Sequence, residues 1–218
     1  MSTQPINSPI FLFGGTFNPV HYGHLRLVEN LHNLMPEAVV RMMPSATPPH
    51  RDAPDVSAEH RLNMVRLATQ SMNHVVVDDR ELKRQGPSYT SLSIDELATE
   101  YPNTAKILVM GDDAMAGFQS WHRWQDIIQQ ANILVIARPG ATQQWLAAEV
   151  EPLIIRCDSV ESLLCSDAVG SQIGAQDLVT GHRGQALEDH IGNRQGAAVR
   201  IAEIELQRPG DKAEILRM

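Results

Sequence analysis

The chain has 218 residues, enough to bury the core of one α/β domain, with room for an appended lobe. Its 26 acidic and 18 basic residues leave a net charge of −8 with no long run of Lys or Arg, which disfavours a nucleic-acid groove but not a local pocket for a small anion. Met1 to Pro9 carries no Lys or Arg and makes no signal peptide, no apolar run is long enough to span a bilayer, and Cys157 and Cys165 match no zinc spacing, so a reducing cytoplasmic setting is expected.

Ile10 to Phe13 reads as a short buried strand that runs into the turn residues Gly14-Gly15-Thr16-Phe17-Asn18-Pro19. Leu25, Val28, Leu31 and Met35 recur at helical spacing, and Pro36 stops that helix. Val39 to Met43 is the second strand, and Pro44 to Asp55 a Pro-rich loop. Ser57 is placed to cap a helix carrying Leu62, Val65 and Met72. Val75 to Val77 is a third strand, followed by a charged, irregular stretch from Asp78 to Thr90. Ser91 to Tyr101 is helical, and Ile107 to Met110 is a fourth strand ending at Gly111-Asp112-Asp113. Trp121 to Gln130 reads as a helix and Ile133 to Ala137 as a fifth strand, closed by Arg138-Pro139-Gly140. Beyond it, Gln143 to Val150 is compatible with a helix, Ser166 to Gly196 reads as loop with no assigned role, and Ala198 to Leu206 alternates as an edge strand does.

Strands alternate with helices, and the strands are continuous apolar runs. That pattern predicts a parallel sheet covered on both faces, with ligands beyond the carboxyl ends of the strands. The polar motifs fall at those ends.

Gly14 to Leu25 is the most informative stretch. Two glycines after a strand let a ligand approach the backbone. His21 and His24 then open a helix three residues apart, so both imidazoles can face one way, with Gly23 leaving that face open. A helix N-terminus favours phosphate, and two imidazoles there can donate to phosphate oxygens as charge develops. The motif is neither a Walker A loop nor the GxGxxG fingerprint, which disfavours hydride transfer.

This segment resembles the HxGH signature of the nucleotidyltransferase superfamily, and its longer form, GGTFNPVHYGHL, is similar to the bacterial nicotinate mononucleotide adenylyltransferases. Asn18 stands where that family usually has Asp. The resemblance implies a single domain over 1–218 with a Rossmann-like, doubly wound parallel sheet of about five to six strands. Its core would be 10–140, and 141–218 a divergent C-terminal part. It also implies transfer of AMP from ATP to nicotinate mononucleotide, in NAD biosynthesis. Gly14, Gly15, Thr16, Phe17 and Arg138 would lie near ATP, with His21 and His24 catalytic. Mg²⁺ would arrive bound to substrate, and no side chain is assigned as a metal ligand.

Further segments carry the same resemblance on the acceptor side. Pro48-Pro49-His50-Arg51 resembles the family loop after strand two, and Arg51 is suited to a phosphate; alone it would read as a solvated loop arginine. Arg80 to Arg84 and Pro87-Ser88-Tyr89-Thr90 match the next family segment, where main-chain groups near the Thr hold the nicotinate carboxylate. Otherwise Thr90 would cap the following helix. Asp113 falls at the Asp of the family's GxD motif, which meets a ribose; its plain alternative is an N-cap. Trp121 matches the tryptophan that stacks on the pyridine ring, and a core Trp is the alternative. His122 replaces a frequent Tyr.

The resemblance covers about Ile10 to Gly140, roughly two-thirds of the chain. The family's I-S-x-T-x-x-R motif is not found after the expected last strand, Val199 to Leu206, where Gln207-Arg208-Pro209-Gly210-Asp211-Lys212 stands instead. Three readings follow: the adenylyltransferase itself, a sister enzyme with another acceptor, or a nucleotide-binding relative without turnover. The expected partners are ATP and nicotinate mononucleotide, without nucleic acid or membrane, and a homo-oligomer is left open.

Overall fold

The computed structural model describes residues 8–47, 54–137, 154–157 and 199–205. The elements in chain order are β1 (Ile10–Gly15), α1 (Tyr22–Leu34), β2 (Val39–Pro44), α2 (Ala58–Ala68), β3 (Val75–Val77), α3 (Arg80–Lys83), α4 (Thr90–Glu100), β4 (Lys106–Gly111), α5 (Asp112–Ala116), α6 (Trp124–Gln130), β5 (Asn132–Ala137), β6 (Ile154–Cys157) and β7 (Val199–Glu205). They build a seven-stranded sheet in the order β3-β2-β1-β4-β5-β7-β6. Every pairing is parallel, so the expected doubly wound sheet forms, with more strands than the five to six anticipated.

Successive β1 residues serve opposite faces, as the two-residue pleat dictates. Phe11 packs with Leu27, Val28 and Leu31 of α1, with Met35 just past its end, and with Val65 of α2. Ile10 and Leu12 pack with Ile94 and Leu97 of α4 and with Ile127 and Ile128 of α6. Burial on both faces explains why β1, β4 and β5 lack a polar alternation.

Helix α1 forms where its apolar stripe meets the sheet. Leu27, Val28 and Leu31 are buried within it, and the Met35 N–H caps it by donating to the Leu31 carbonyl. Leu25, included in the expected stripe, is only half-buried; Leu27 takes the inward place. Ser57 caps α2 as expected, its Oγ accepting from His60 N–H at 3.3 Å.

Several local expectations are corrected. The stretch from Asp78 to Thr90 contains the short α3, held where Asp78 accepts from Arg80. The helix expected from Trp121 starts at Trp124, because Arg123 takes a left-handed φ of 54° and turns the chain. Strand β7 lies inside the sheet, between β5 and β6, and β6 occupies the edge instead. The proposed helix at Gln143 to Val150 and the loop at Ser166 to Gly196 lie outside the described residues. No helix among the described residues is long and apolar enough to cross a membrane.

Because Leu31 is fully buried and anchors α1, Leu31→Ala is expected to cost about 2–5 kcal/mol of stability. Urea unfolding measures it, and a loss below about 1 kcal/mol would show that the helix is not seated by this contact.

Candidate functional site

The strand order places the site. The chain leaves β1 toward β2 on one side, and β4 lies against β1 on the other. That switch opens a crevice at the carboxyl end of β1, where Gly14 and Gly15 end the strand. A Cβ on Gly15 would sit 3.2 Å from the Phe17 ring, which folds back over it through a turn with φ of 49°. A side chain there would push the ring outward by a few tenths of an ångström. The Phe17 side chain is buried and packs edge-on to Phe13 at 5.5 Å.

His21 is the extended N-cap of α1, and His24 falls in the first turn. Their rings stack at 3.7 Å and 22°. The His21 N–H donates to His24 Nδ1 at 3.2 Å. Phe17 backs His24 edge-on at 5.0 Å, and Phe13 lies 5.9 Å away. Burial, and then the neighbouring His21 imidazole, push the His24 pKa from 6.5 down to about 4. His24 is therefore neutral near pH 7. With Nδ1 accepting, its proton sits on Nε2, which makes that nitrogen a donor. The His21 main-chain N–H thus fixes one tautomer of a neutral hydrogen-bond donor at a helix start. Gly23 is part of the geometry, since a Cβ there would lie 3.1 Å from the His21 ring.

At the end of β4, Gly111 is the N-cap of α5 in extended conformation. A Cβ on Gly111 would meet Asp113 Oδ1 at 2.6 Å, so the exposed Asp113 carboxylate leans over the strand end. The capping alternative for Asp113 is not what forms: Gly111 holds the cap, and Asp112 accepts from the Asp113 N–H at 2.9 Å. Thr90 is likewise not the cap of α4. Tyr89 occupies that position without a side-chain bond, leaving Thr90 in the first turn. The Leu92 and Ser93 N–H groups donate to the Tyr89 carbonyl at 3.1 and 3.4 Å, so a helix start of this kind offers an outside acceptor the N–H groups of Thr90 and Ser91.

Trp121 follows a 3-10 turn over Phe118–Ser120 and packs on Phe118, with ring centroids 5.6 Å apart. It is half-buried at the margin of the core, so the core alternative accounts for only part of its surface. Its neighbour His122 stacks on Tyr89 at 4.3 Å, and Arg123 pairs with Asp95 of α4 at 2.9 Å. These contacts tie the Trp121 loop to the start of α4. Arg51 and Arg138 lie outside the described residues, as does the segment after Glu205.

Sequence reasoning missed the polar parts behind the site. Arg61 is 1% exposed and donates to the carbonyls of Thr16 at 2.6 Å, Ala46 at 3.1 Å and Val56 at 3.2 Å. Its signal was an Arg one residue before Leu62 and four before Val65, on the inward stripe of α2. Ser88 Oγ accepts from the N–H groups of Ala46 and Thr47. The Tyr89–His122 stack had no such signal. The basic residues Arg80 and Arg84 are engaged elsewhere, pairing with Asp78, Glu96 and Glu100. Among the described residues, no cluster of three or more His, Cys, Asp or Glu is arranged to hold a metal ion.

Comparison with known proteins gives the family and the fold. The family model described as cytidylyltransferase-like matches residues 12–169. A probable nicotinate-nucleotide adenylyltransferase of Aeromonas hydrophila is 43% identical over 154 residues, covering 71% of this chain and 72% of that protein. One of Pseudomonas fluorescens is 41% identical over 168 residues, covering 77% and 73%. The Plasmodium falciparum nicotinic acid mononucleotide adenylyltransferase complexed with NaAD superposes with a TM-score of 0.55 at 17% identity, covering 66% of this chain and 69% of that one, a likeness of fold. The chain belongs to the cytidylyltransferase-like family and, within it, to the nicotinate-nucleotide adenylyltransferases.

Proposed function

We propose that this enzyme transfers the AMP group of ATP to nicotinate mononucleotide, in the cytoplasm, as a single domain acting on free nucleotides. The relatives' names support the reaction, and the observation that carries it is the stacked His21–His24 pair at the start of α1. A phosphate oxygen of the mononucleotide attacks the α-phosphorus of ATP. The bond from that phosphorus to the β-phosphate bridging oxygen breaks, and pyrophosphate leaves with its electron pair. ATP enters as its magnesium complex, the ion held by phosphate oxygens and water.

The protein's part is positioning and charge stabilisation. His24 Nε2 donates to a phosphate oxygen that gains charge in the transition state, and His21 stands beside it. Gly14 to Phe17 let the nucleotide press on the backbone. On the acceptor side, the first-turn N–H groups at Thr90 receive the carboxylate, a fit for the acid form. Trp121 stacks on the pyridine, and Asp113 accepts from a ribose hydroxyl. Arg51 and Arg138 are assigned to acceptor phosphate and ATP on resemblance alone.

Incubation with ATP, Mg²⁺ and a panel of acceptors tests the reading through pyrophosphate release. Release is expected with nicotinate mononucleotide and not with phosphopantetheine. A folded chain that binds ATP yet releases nothing with any acceptor would support a binding protein without turnover. His24→Ala is expected to lower kcat about 10²–10³-fold, with little change in mononucleotide binding; an unchanged kcat removes its role.

Gly23→Ala separates site geometry from stability. A Gly-to-Ala change within a helix ordinarily gains up to about 1 kcal/mol, while here the new methyl displaces the His21 ring. The expected result is an unchanged or raised Tm with a lower kcat, and equal kcat would show that the ring position is not limiting.

The His24 shift also sets a pH dependence of folding. Its folded pKa, about 4, lies below the ordinary 6.5, so folding favours the neutral form. That contribution is complete above pH 6.5 and is lost as pH falls toward 4. Urea unfolding of wild type and His24→Gln should show the wild type losing more stability across that window, and parallel curves would contradict it.

A further inference from the structure

Ala46, the second residue after β2, is held from both sides. Its N–H donates to Ser88 Oγ at 2.8 Å, and its carbonyl accepts from Arg61 Nη2 at 3.1 Å. The Thr47 N–H donates to the same Ser88 Oγ at 3.1 Å, and the Thr47 carbonyl accepts from the Ser88 N–H at 3.0 Å. Arg61 reaches onward through Nη1 to the Thr16 carbonyl at 2.6 Å. Its Nε donates to Val56 at 3.2 Å. Behind Ser88, the buried Glu81 carboxylate interacts with the hydroxyls of Ser88 and Ser93.

We propose that Arg61 and Ser88 are positioning residues that form one polar strut, Thr16–Arg61–Ala46–Ser88, setting the spacing between the ATP-side turn and the acceptor-side segment at Tyr89 and Thr90. The inference rests on the adenylyl-transfer reading, in which two substrates bound by these segments must meet in line. The Gly14–Phe17 turn and the Pro87–Thr90 segment are far apart in the chain and belong to different crossovers. Nothing in their local sequence fixes one relative to the other. The strut does so through main-chain atoms, so it sets distance without constraining the side chains that meet ligand.

The chemistry of Arg61 argues against simple core filling. A guanidinium 1% exposed is desolvated, and its pKa is lowered by that burial. Among the described residues no carboxylate pairs with it. An apolar side chain would fill the same volume without placing a charge out of water. What an apolar residue cannot do is donate from three nitrogens to carbonyls of three separate segments. Lysine cannot do so either, because its donors radiate from one atom.

The test uses the full chain with Arg61→Lys, Ser88→Ala and the double variant, following pyrophosphate release with nicotinate mononucleotide together with thermal unfolding. Each single change is expected to lower kcat about 10- to 100-fold while either KM moves less than about 3-fold, because alignment is lost more than binding. The double variant should fall within about 3-fold of the weaker single, since a strut cut once is already cut. A lowered Tm with unchanged kcat, or independent losses that multiply, would overturn the proposal. Amide hydrogen exchange supplies a readout without turnover. Ser88→Ala, the milder variant, should speed exchange at the Thr16 and Phe17 amides across the strut, and unchanged rates there would overturn it. Should the folded wild type release no pyrophosphate with this acceptor, the acceptor assignment falls, and the exchange rates still decide the strut.

Discussion

Strand β1 is paired in parallel on both edges and buried on both faces, and much of the molecule follows from that constraint. A strand so enclosed can present polar function only at its ends. Its carboxyl end opens where the neighbouring crossovers diverge, with α1 and α2 on one face and α4 and α6 on the other. Gly14 and Gly15 end the strand there, and the phenylalanine turn redirects the chain so that the first turn of α1 starts beside the opening. The histidine pair is where it is because β1 can go nowhere else.

The same enclosure shapes the electrostatics. Four described arginines near the sheet divide into two groups. Arg41, Arg80 and Arg84 are neutralised by Asp78, Glu96 and Glu100, and so brace α3, α4 and the end of β3. Arg61 donates to main-chain carbonyls of the loops around the opening. Charged pairs therefore stiffen the periphery, while dipoles and a neutral imidazole face the crevice. Low-dielectric surroundings strengthen such fixed donors without requiring a counter-charge.

Much of the fold was legible because the apolar runs of β1, β2, β4 and β5 are buried on both faces and bounded by turn residues. The HxGH segment was legible because its order of strand, glycines and histidines is a local pattern. The plain alternative for Thr90 and Asp113, helix capping, is not what forms: Tyr89 and Gly111 take the caps, since the backbone at those points is already extended. Strand β6 is four residues long and gains its identity only by pairing with β7, a partner more than forty residues on. The Arg61 contacts join residues 15 and 45 positions apart, and periodicity carries no information about such pairs. The Tyr89–His122 stack is long-range in the same way.

A chain of net charge −8 acting on polyphosphates meets a contradiction that the proposed site would resolve locally. A dense cationic pocket would bind substrate and product phosphates alike, and uniform binding does not raise turnover. In the role proposed for it, His24, kept neutral by burial and by its neighbour, is a donor whose attraction grows with the charge that develops on an oxygen. A helix start adds aligned N–H groups with the same property. Such donors favour the transition state over the ground state when they are held in place as charge develops. Rigidity is then the requirement that matters most, which is why Phe13, Phe17 and the His21 stack enclose one imidazole on three sides.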